Sequence, residues 1–164
     1  MKTKKLTVLA LLTTAAMILS YLESLLPSIA IPGVKMGLAN IAVIFALYRL
    51  GPREALAVSL VRVGMFSLIF GSLSALLYSV AGAVLSLLVM AVLRKTGLFS
   101  ETGVSVAGGV GHNLGQILMA MWLLDTARLI YYLPVLILTG VAGGVLTGLT
   151  AAMLIRRIPP FEKQ

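Results

Sequence analysis

Residues 104–124 read VSVAGGVGHNLGQILMAMWLL, an apolar run that contains no formal charge. A helix needs about 20 mainly apolar residues to cross a hydrocarbon core of roughly 30 Å, so this segment has the length of a transmembrane helix. Its middle nevertheless contains His112, Asn113 and Gln116. Because polar side chains at that depth are costly unless they face protein or water, the segment predicts a spanning helix whose polar face lies inside a bundle.

The composition of the whole chain agrees with this prediction. Hydrophobic residues make up 60% of the 164 residues, charged residues make up 11%, and the mean hydropathy is +1.08. Such values are typical of an integral membrane protein, and the length leaves room for about five or six spanning helices and little else. We therefore predict an all-α integral membrane protein, a compact bundle of six transmembrane helices that forms a single domain over residues 1–164.

Turn chemistry divides the apolar sequence into six spans. Proline or glycine interrupts it at residues 26–27, 31–33, 50–52, 71–72 and 95–97, and a polar segment covers residues 125–128. The predicted spans cover about residues 6–26, 37–50, 54–70, 72–93, 103–124 and 131–155. The first span begins with basic residues, as a signal peptide does, but it is long and no small-x-small cleavage site leads into a soluble domain. We therefore expect it to remain as a helix.

The basic residues indicate how the bundle is oriented. Ten of the 13 Lys and Arg residues fall on the side of the two termini: Lys2, Lys4, Lys5, Arg49, Arg53, Arg94, Lys95, Arg156, Arg157 and Lys163. The positive-inside rule places that side, with both termini, in the cytoplasm. No basic stripe with interleaved aromatic residues is present, which argues against a nucleic-acid partner.

Small residues predict where the helices approach one another. Gly140, Gly144 and Gly148 recur every four residues in the last span, and Gly111 and Gly115 do so in the fifth. This spacing lets helix backbones come close, and packing then replaces the hydrophobic drive that is missing in lipid.

Seven polar side chains are expected to converge in the outer half of the bundle. They are Glu23, Lys35, Asn40, Arg62, His112, Asn113 and Gln116. An intramembrane arginine costs at least ~2.5 kcal/mol on insertion scales, so Arg62 must be paired or face water. Two interpretations remain open. One is an internal staple in which Arg62 pairs with Glu23 and is hydrogen-bonded by Asn113, and the other is a polar pocket that opens to the outside.

The chemistry of these side chains suits a small anionic solute. Arg and Lys complement carboxylates and phosphates, while Asn, Gln and His add directional hydrogen bonds. Tyr21, Tyr78, Tyr131 and Tyr132 either add aromatic walls or anchor helices at the membrane interface. Because the chain has one histidine and no cysteine, strong metal ligands are few, and we expect neither a metal nor another cofactor.

Three stretches of the chain resemble a known membrane family. They are IPGVKMGLANIAVIFALYRLGPREALAVSLVRV at residues 31–63, FGSLSALLYSVAGAVLSLLVMAVLRK at residues 70–95 and GVSVAGGVGHNLGQILMA at residues 103–120. These stretches resemble heptaprenyl diphosphate synthase component I, which is also called the Gx transporter family. That family is in turn similar to the substrate-binding S-components of energy-coupling factor (ECF) vitamin transporters. S-components are six-helix proteins that bind substrate in their outer half, beneath the loop between helices 1 and 2.

The resemblance implies a covering loop, a set of partners and a location. Residues 27–36 would correspond to the loop over the substrate, and the partners would be a coupling subunit and its ATPases in a bacterial plasma membrane. S-components dock on the coupling subunit through an Ala-x-x-x-Ala pattern in helix 1. The nearest matches here are residues 10–14 and 16–20.

The residues do not support catalysis by this chain alone. Prenyl diphosphate elongation uses aspartate-rich motifs that hold Mg²⁺ against the pyrophosphate. The chain has one aspartate, Asp125, and four scattered glutamates. Phosphate-binding P-loop, nucleophile-elbow and zinc-protease motifs are also absent from the sequence. We therefore expect that the protein is not an enzyme.

These observations favour an S-component-like protein that captures a small anionic solute from outside for uptake. Two alternatives stay open. The first is a membrane accessory subunit of polyprenyl (heptaprenyl) diphosphate or quinone synthesis, and the second is a structural subunit of a membrane redox assembly.

Overall fold

A computed structural model describes residues 2–25 and 37–159, which form six α-helices and one short 3-10 helix without a strand. The α-helices are α1 (Lys2–Leu25), α2 (Asn40–Arg49), α3 (Pro52–Phe70), α4 (Leu73–Thr96), α5 (Glu101–Leu123) and α6 (Leu133–Arg157). The 3-10 helix, Ala127–Tyr132, leads directly into α6. The predicted fold class, a compact all-helical membrane protein, is confirmed.

The residues predicted to interrupt the apolar sequence do lie at the ends of helices. The Ser72 hydroxyl accepts a hydrogen bond from the Ala75 N–H at 3.2 Å, and the Ser100 hydroxyl accepts one from the Gly103 N–H at 3.2 Å. These N-caps satisfy backbone donors that the first turn of a helix leaves without a partner. Gly97 ends α4 with a φ of +68°, a left-handed conformation that glycine adopts without strain. The breaks at residues 71–72 and 95–97 are therefore true boundaries.

Three helical segments are long and apolar enough to cross a membrane by length and composition: Thr3–Leu25, Leu73–Thr96 and Ala127–Arg157. This supports association with a membrane. The second predicted span, residues 37–50, is helical only over Asn40–Arg49. At 1.5 Å per residue, α2 covers about 15 Å, half of a bilayer core. Six complete crossings of the bilayer stay a prediction.

Helix α2 lies among the other helices. Its residues 41–47 are all buried, and it packs against α1, α3 and α6. The remaining contacts run from α3 to α4, α4 to α5 and α5 to α6, so α2 to α6 form a closed ring with α1 against α2 and α3. Protein therefore covers α2 on all sides, which explains why a short helix is apolar all round.

The glycine ridge of α6 faces α5. A Cβ atom added to Gly144 would lie 2.5 Å from the Val106 Cα, and one added to Gly148 would lie 2.8 Å from the Thr102 Cα. Both neighbours are backbone atoms, which a side-chain rotation cannot move. The Ser105 and Thr147 hydroxyls also share a buried hydrogen bond at 3.0 Å across this contact. The α5–α6 pair is therefore a close helix packing of the small-residue type.

Basic residues gather at one end of the bundle, which we call the basic end. It contains Lys4, Lys5, Arg49, Arg53, Arg94, Lys95, Arg156 and Arg157, at the first turns of α1 and α3 and the last turns of α2, α4 and α6. Lys5 forms an ion pair with Glu54, which joins the starts of α1 and α3. Arg49 donates to the carbonyls of Ile155 and Ile158.

Arg49 and Arg94 thereby satisfy the open ends of two helices. Arg94 donates to the carbonyl of Leu47, and its guanidinium lies 5.1 Å from the centre of the Tyr48 ring. The last carbonyls of a helix have no partner within the helix and carry the negative end of its dipole. Both arginines were predicted only as markers of the cytoplasmic side, so their capping of α6 and α2 is a finding of the structure.

The orientation of the basic end can be tested by cysteine labelling, because the chain has no cysteine. Lys95→Cys and Ala127→Cys place thiols at exposed positions near opposite ends of the bundle. With the basic end in the cytoplasm, an impermeant maleimide added to intact cells should label Ala127→Cys only. Lys95→Cys should react after the cells are permeabilised. The reverse pattern would invert the topology and place the cavity described below on the cytoplasmic side.

Candidate functional site

A cavity of about 50 Å³ lies in the half of the bundle away from the basic end. Helices α1, α2, α3, α5 and α6 all contribute to its wall. Six of the seven predicted site residues line it: Glu23, Asn40, Arg62, His112, Asn113 and Gln116. The seventh, Lys35, lies outside the described residues, as does the predicted covering loop, residues 27–36. Residues from four helices that are distant in sequence thus meet at one cavity, while their role in binding a solute stays a prediction.

Arg62 brings a guanidinium to the cavity from the middle of α3. Its Nη1 donates to the Ser20 hydroxyl of α1 at 3.3 Å. Its Nε is buried, and no hydrogen-bond acceptor for it exists among residues 2–25 and 37–159. Because a guanidinium has five N–H donors, this contact leaves donor capacity for a further group. Ser20 was not predicted as a site residue, although it lies one helical turn after the fully buried Ala16.

Glu23 connects the end of α1 to the start of α2. Its Oε1 accepts a hydrogen bond from the backbone N–H of Gly37, a residue whose φ of +72° favours glycine. A backbone donor on a carboxylate is a charge-assisted bond. The carboxylate therefore holds the first residues before α2 against the cavity as well as lining it.

Asn113 holds α5 against α6. Its amide nitrogen donates to the Leu136 carbonyl at 2.7 Å and to the Thr139 hydroxyl at 3.3 Å. Both amide hydrogens are therefore in use, so the side chain offers the cavity its oxygen, an acceptor. The staple interpretation had paired Asn113 with Arg62, and Thr139 was not among the predicted site residues. A polar residue beside Gly140 in an otherwise apolar stretch was the available signal.

The predicted staple is present only in part. Among the described residues Arg62 and Glu23 do not come within ion-pair distance, and Lys5 pairs with Glu54 instead, but the Glu23 carboxylate still acts on Arg62 electrostatically. Asn113 bonds to α6, and Arg62 bonds to Ser20. The side-chain geometry between helices, which sequence spacing does not determine, directs each group to a different neighbour.

His112 and Gln116 lie where α5 packs on α4. A Cβ atom on Gly82 of α4 would lie 2.8 Å from the Gln116 Cγ and 2.8 Å from the His112 carbonyl oxygen. Gly82 therefore allows the close approach that holds this wall of the cavity in place. The sequence interpretation missed Gly82 as a residue that supports the site.

The four tyrosines considered from sequence do not line the cavity. Tyr131 is 82% exposed and Tyr132 is 52% exposed, while Tyr21 packs against the ring of Phe70 at 5.5 Å. Exposed tyrosines near helix ends are typical interface anchors. Of the two interpretations left open from the sequence, interface anchoring is the one that agrees with the exposure of Tyr131 and Tyr132. Within the described part of the chain, no cluster of three His, Cys, Asp or Glu residues could hold a metal ion.

Loss of the Asn113 contacts should destabilise the bundle. We expect Asn113→Ala to lower the free energy of unfolding by about 1 kcal/mol, because the half-buried Leu136 carbonyl and Thr139 hydroxyl lose their bonds to α5 but keep the bond to each other. Unfolding in detergent, followed by circular dichroism, would measure this. Gln116→Ala is a matched control, since Gln116 lines the same cavity but forms no hydrogen bond with α6 among the described residues. Equal effects of the two variants would contradict a tethering role for Asn113.

Comparison with known families shows to which family the chain belongs. Residues 12–154 match the family model of heptaprenyl diphosphate synthase component I. The chain belongs to this family. Searches of curated proteins and of solved structures gave no match.

Membership in the component I family indicates the general role of the protein. Component I is the non-catalytic subunit of heptaprenyl diphosphate synthase, so this chain is not itself the catalytic enzyme. The family also implies another synthase component as a partner. The sequence agrees with this role, because it contains one aspartate and no aspartate-rich motif of the kind that holds Mg²⁺.

Proposed function

We propose that this component I protein captures a small anionic solute in its cavity and presents it for uptake across a bacterial plasma membrane. One observation carries the proposal. Polar residues chosen from depth and helical spacing alone lie around a single cavity, far along the chain from one another. The mode of action resembles that of the S-components of ECF transporters, with both termini in the cytoplasm.

The energetics of Arg62 support a binding role. Holding a charged guanidinium at bilayer depth costs at least ~2.5 kcal/mol, and such residues in membrane proteins commonly mark a substrate or ion pathway. Here its Nε has no acceptor within the described residues, so the internal contacts leave part of that cost unmet. The Glu23 carboxylate in the same cavity compensates part of the charge, and a bound anion would supply the acceptor that the Nε lacks.

Uptake needs an energy source that this chain does not contain. No nucleotide-binding P-loop is present, so a coupling subunit and ATPases would have to bind it. Of the two candidate docking matches on α1, residues 10 and 14 are exposed, whereas Ala16 and Ser20 are buried against the bundle. The exposed pair is therefore the one that could meet a coupling subunit within the membrane.

Affinity purification under native conditions tests this function. The protein should be extracted from cells into nanodiscs with a terminal tag, and its partners and small molecules identified by mass spectrometry. We expect ATPases, a coupling subunit and one enriched anionic solute. If no small molecule is enriched and deletion of the gene leaves solute uptake unchanged, the capture function is wrong.

A second candidate function follows from the family itself. As a membrane accessory subunit, the protein would hold the other synthase component at the cytoplasmic surface. The basic end suits this role, because Leu98 is 83% exposed and Phe99 is 49% exposed beside the cationic last turn of α4. An apolar pair with a basic rim complements an acidic protein surface that carries an apolar centre.

The two functions predict different results from the same purification. The accessory role requires a soluble prenyltransferase among the partners, and Lys95→Glu with Phe99→Ser should release it. Trp122→Ser, a change at an exposed residue in the last turn of α5, is the matched control. Purification without any prenyltransferase would count against the accessory role.

A further inference from the structure

The last turn of α6 carries two exposed arginines, Arg156 and Arg157, which we call the arginine pair. Neither of them forms a hydrogen bond or an ion pair within residues 2–25 and 37–159. The end of α6 is already capped, because Arg49 of α2 donates to the carbonyls of Ile155 and Ile158, on either side of the pair. Within the described part of the chain, the arginine pair is therefore available to a group outside the protein.

Positive charge exceeds negative charge at this helix end. Arg49 adds a third guanidinium beside the arginine pair. Among the described residues, the carboxylates at the basic end are Glu54, which pairs with Lys5, and Glu101 at the start of α5. Neither of them forms an ion pair with the arginine pair. The end of α6 therefore attracts an anion from outside the protein.

An apolar stripe on α6 leads up to the arginine pair. Leu149 is 54% exposed and Met153 is 57% exposed, and they precede Arg157 at four-residue steps on one face of the helix. Because the segment Ala127–Arg157 is long and apolar enough to cross a membrane, we expect this stripe to contact acyl chains. Arginine side chains at the end of such a helix extend toward the lipid headgroups.

The combination of charge and apolar surface fits a phospholipid better than a protein. A guanidinium binds phosphate oxygens through two parallel hydrogen bonds. An anionic phospholipid carries its phosphate on the same molecule as its acyl chains, so one ligand meets both the arginine pair and the stripe of Leu149 and Met153. Basic groups at the ends of membrane helices bind anionic headgroups in this way. An acidic protein surface matches the charge but leaves the apolar stripe uncovered.

We propose that the end of α6 is a binding site for an anionic phospholipid, whose phosphate contacts the arginine pair and whose acyl chains lie along Leu149 and Met153. A bound lipid fixes the depth of this helix end at the membrane surface. The site lies at the opposite end of the bundle from the cavity, so the inference goes beyond solute capture. It can fail without affecting that function.

Native mass spectrometry of the full chain in detergent tests the proposal by titration with phosphatidylglycerol, phosphatidylcholine and glycerol 3-phosphate. The two lipids can have the same acyl chains, but the choline group cancels the charge of the second. Each basic residue near a membrane surface contributes about 1 kcal/mol, or about five-fold in affinity. With two arginines at the headgroup, we expect phosphatidylglycerol to bind about 25-fold more tightly than phosphatidylcholine. Glycerol 3-phosphate, which has no acyl chains, should bind more weakly than phosphatidylglycerol.

Two double variants separate a binding site from diffuse surface charge. Arg156→Gln with Arg157→Gln should lower the affinity for phosphatidylglycerol by about 25-fold, to that for phosphatidylcholine. Lys4→Gln with Lys95→Gln removes the same charge from exposed positions of the basic end, on α1 and α4, whose main packing partners do not include α6. Exposed charges more than ~8 Å apart are largely screened at physiological salt. We therefore expect this control to bind phosphatidylglycerol as the unchanged protein does.

Other results would overturn the proposal. Equal affinity for the two lipids, or an equal loss in the two double variants, would mean that the arginine pair is not a specific site. Glycerol 3-phosphate that binds as tightly as phosphatidylglycerol would make the ligand a free phosphate. A fourth probe, hexaglutamate, represents an acidic protein surface, and its displacement of the lipid would replace the lipid with a protein partner. All four changed positions are exposed, so both variants should fold, and the comparison of lipids on the unchanged protein decides the proposal in any case.

Discussion

Arg62→Gln is expected to weaken binding of the anionic solute by roughly 10- to 150-fold, because a hydrogen bond to a charged group contributes about 1.5–3 kcal/mol. The bundle should stay folded. Glutamine keeps a donor near the Ser20 hydroxyl, and the change removes a buried charge whose Nε has no acceptor among residues 2–25 and 37–159. Calorimetric titration with the purified solute, together with thermal melting, measures both effects on one sample.

Two further variants give this prediction its controls. Arg53→Gln removes an exposed arginine at the basic end and should leave binding unchanged. Arg62→Lys keeps the charge but loses the planar fork, so its binding should fall between those of the wild type and Arg62→Gln. A structural staple predicts the opposite pattern, in which Arg62→Gln lowers the melting temperature and no solute binding is affected.

Gly144→Leu is expected to give the largest loss of stability. Even the first carbon of a side chain at this position would lie 2.5 Å from the Val106 Cα, and a Cβ on Gly148 or Gly140 would lie 2.8 or 3.0 Å from the α5 backbone. Overpacking a core typically costs about 1–3 kcal/mol, and this contact can be relieved only by moving one helix away from the other. We therefore expect an effect at or above the upper end of that range.

Melting in detergent measures this effect against a matched control. Ala142→Leu adds a similar volume two residues earlier, where the side chain is exposed on the outside of α6. It should melt close to the wild type. Gly144→Ala should lie between the two variants. If Gly144→Leu kept the wild-type melting temperature, the ridge would not pack on α5.

A large part of the fold follows from local sequence features. The apolar runs and their turn residues predict the helices to within a few residues, because hydropathy and capping act over one or two helical turns. The helix starts shift most at α1, which begins at Lys2 rather than residue 6, and at α2, which begins at Asn40 rather than residue 37 and is too short to cross a bilayer alone. Its central position, which depends on packing by α1, α3 and α6, is not visible in its own sequence.

The candidate site, too, could be predicted from the sequence only in part. Depth along each helix and the spacing of His112 and Gln116 were enough to predict six of the polar residues that line the cavity, since both depend only on helix geometry. The supporting residues Gly82, Ser20 and Thr139 were missed. Each acts through a contact with another helix, and a single sequence carries no record of which helices touch.

The sequence by itself determined the class of the protein, the helical segments, the gathering of positive charge at one end and six of the side chains that line the cavity. Only the tertiary structure determined the hydrogen-bond partners of those side chains. It directs Asn113 to α6 and Glu23 to the Gly37 N–H, and it turns Arg49 and Arg94 into caps for the ends of α6 and α2. The physical reason is the distance along the chain over which each effect acts. Hydropathy and helical periodicity are summed over neighbouring residues, whereas a hydrogen bond depends on a few tenths of an ångström between segments that lie far apart in the chain.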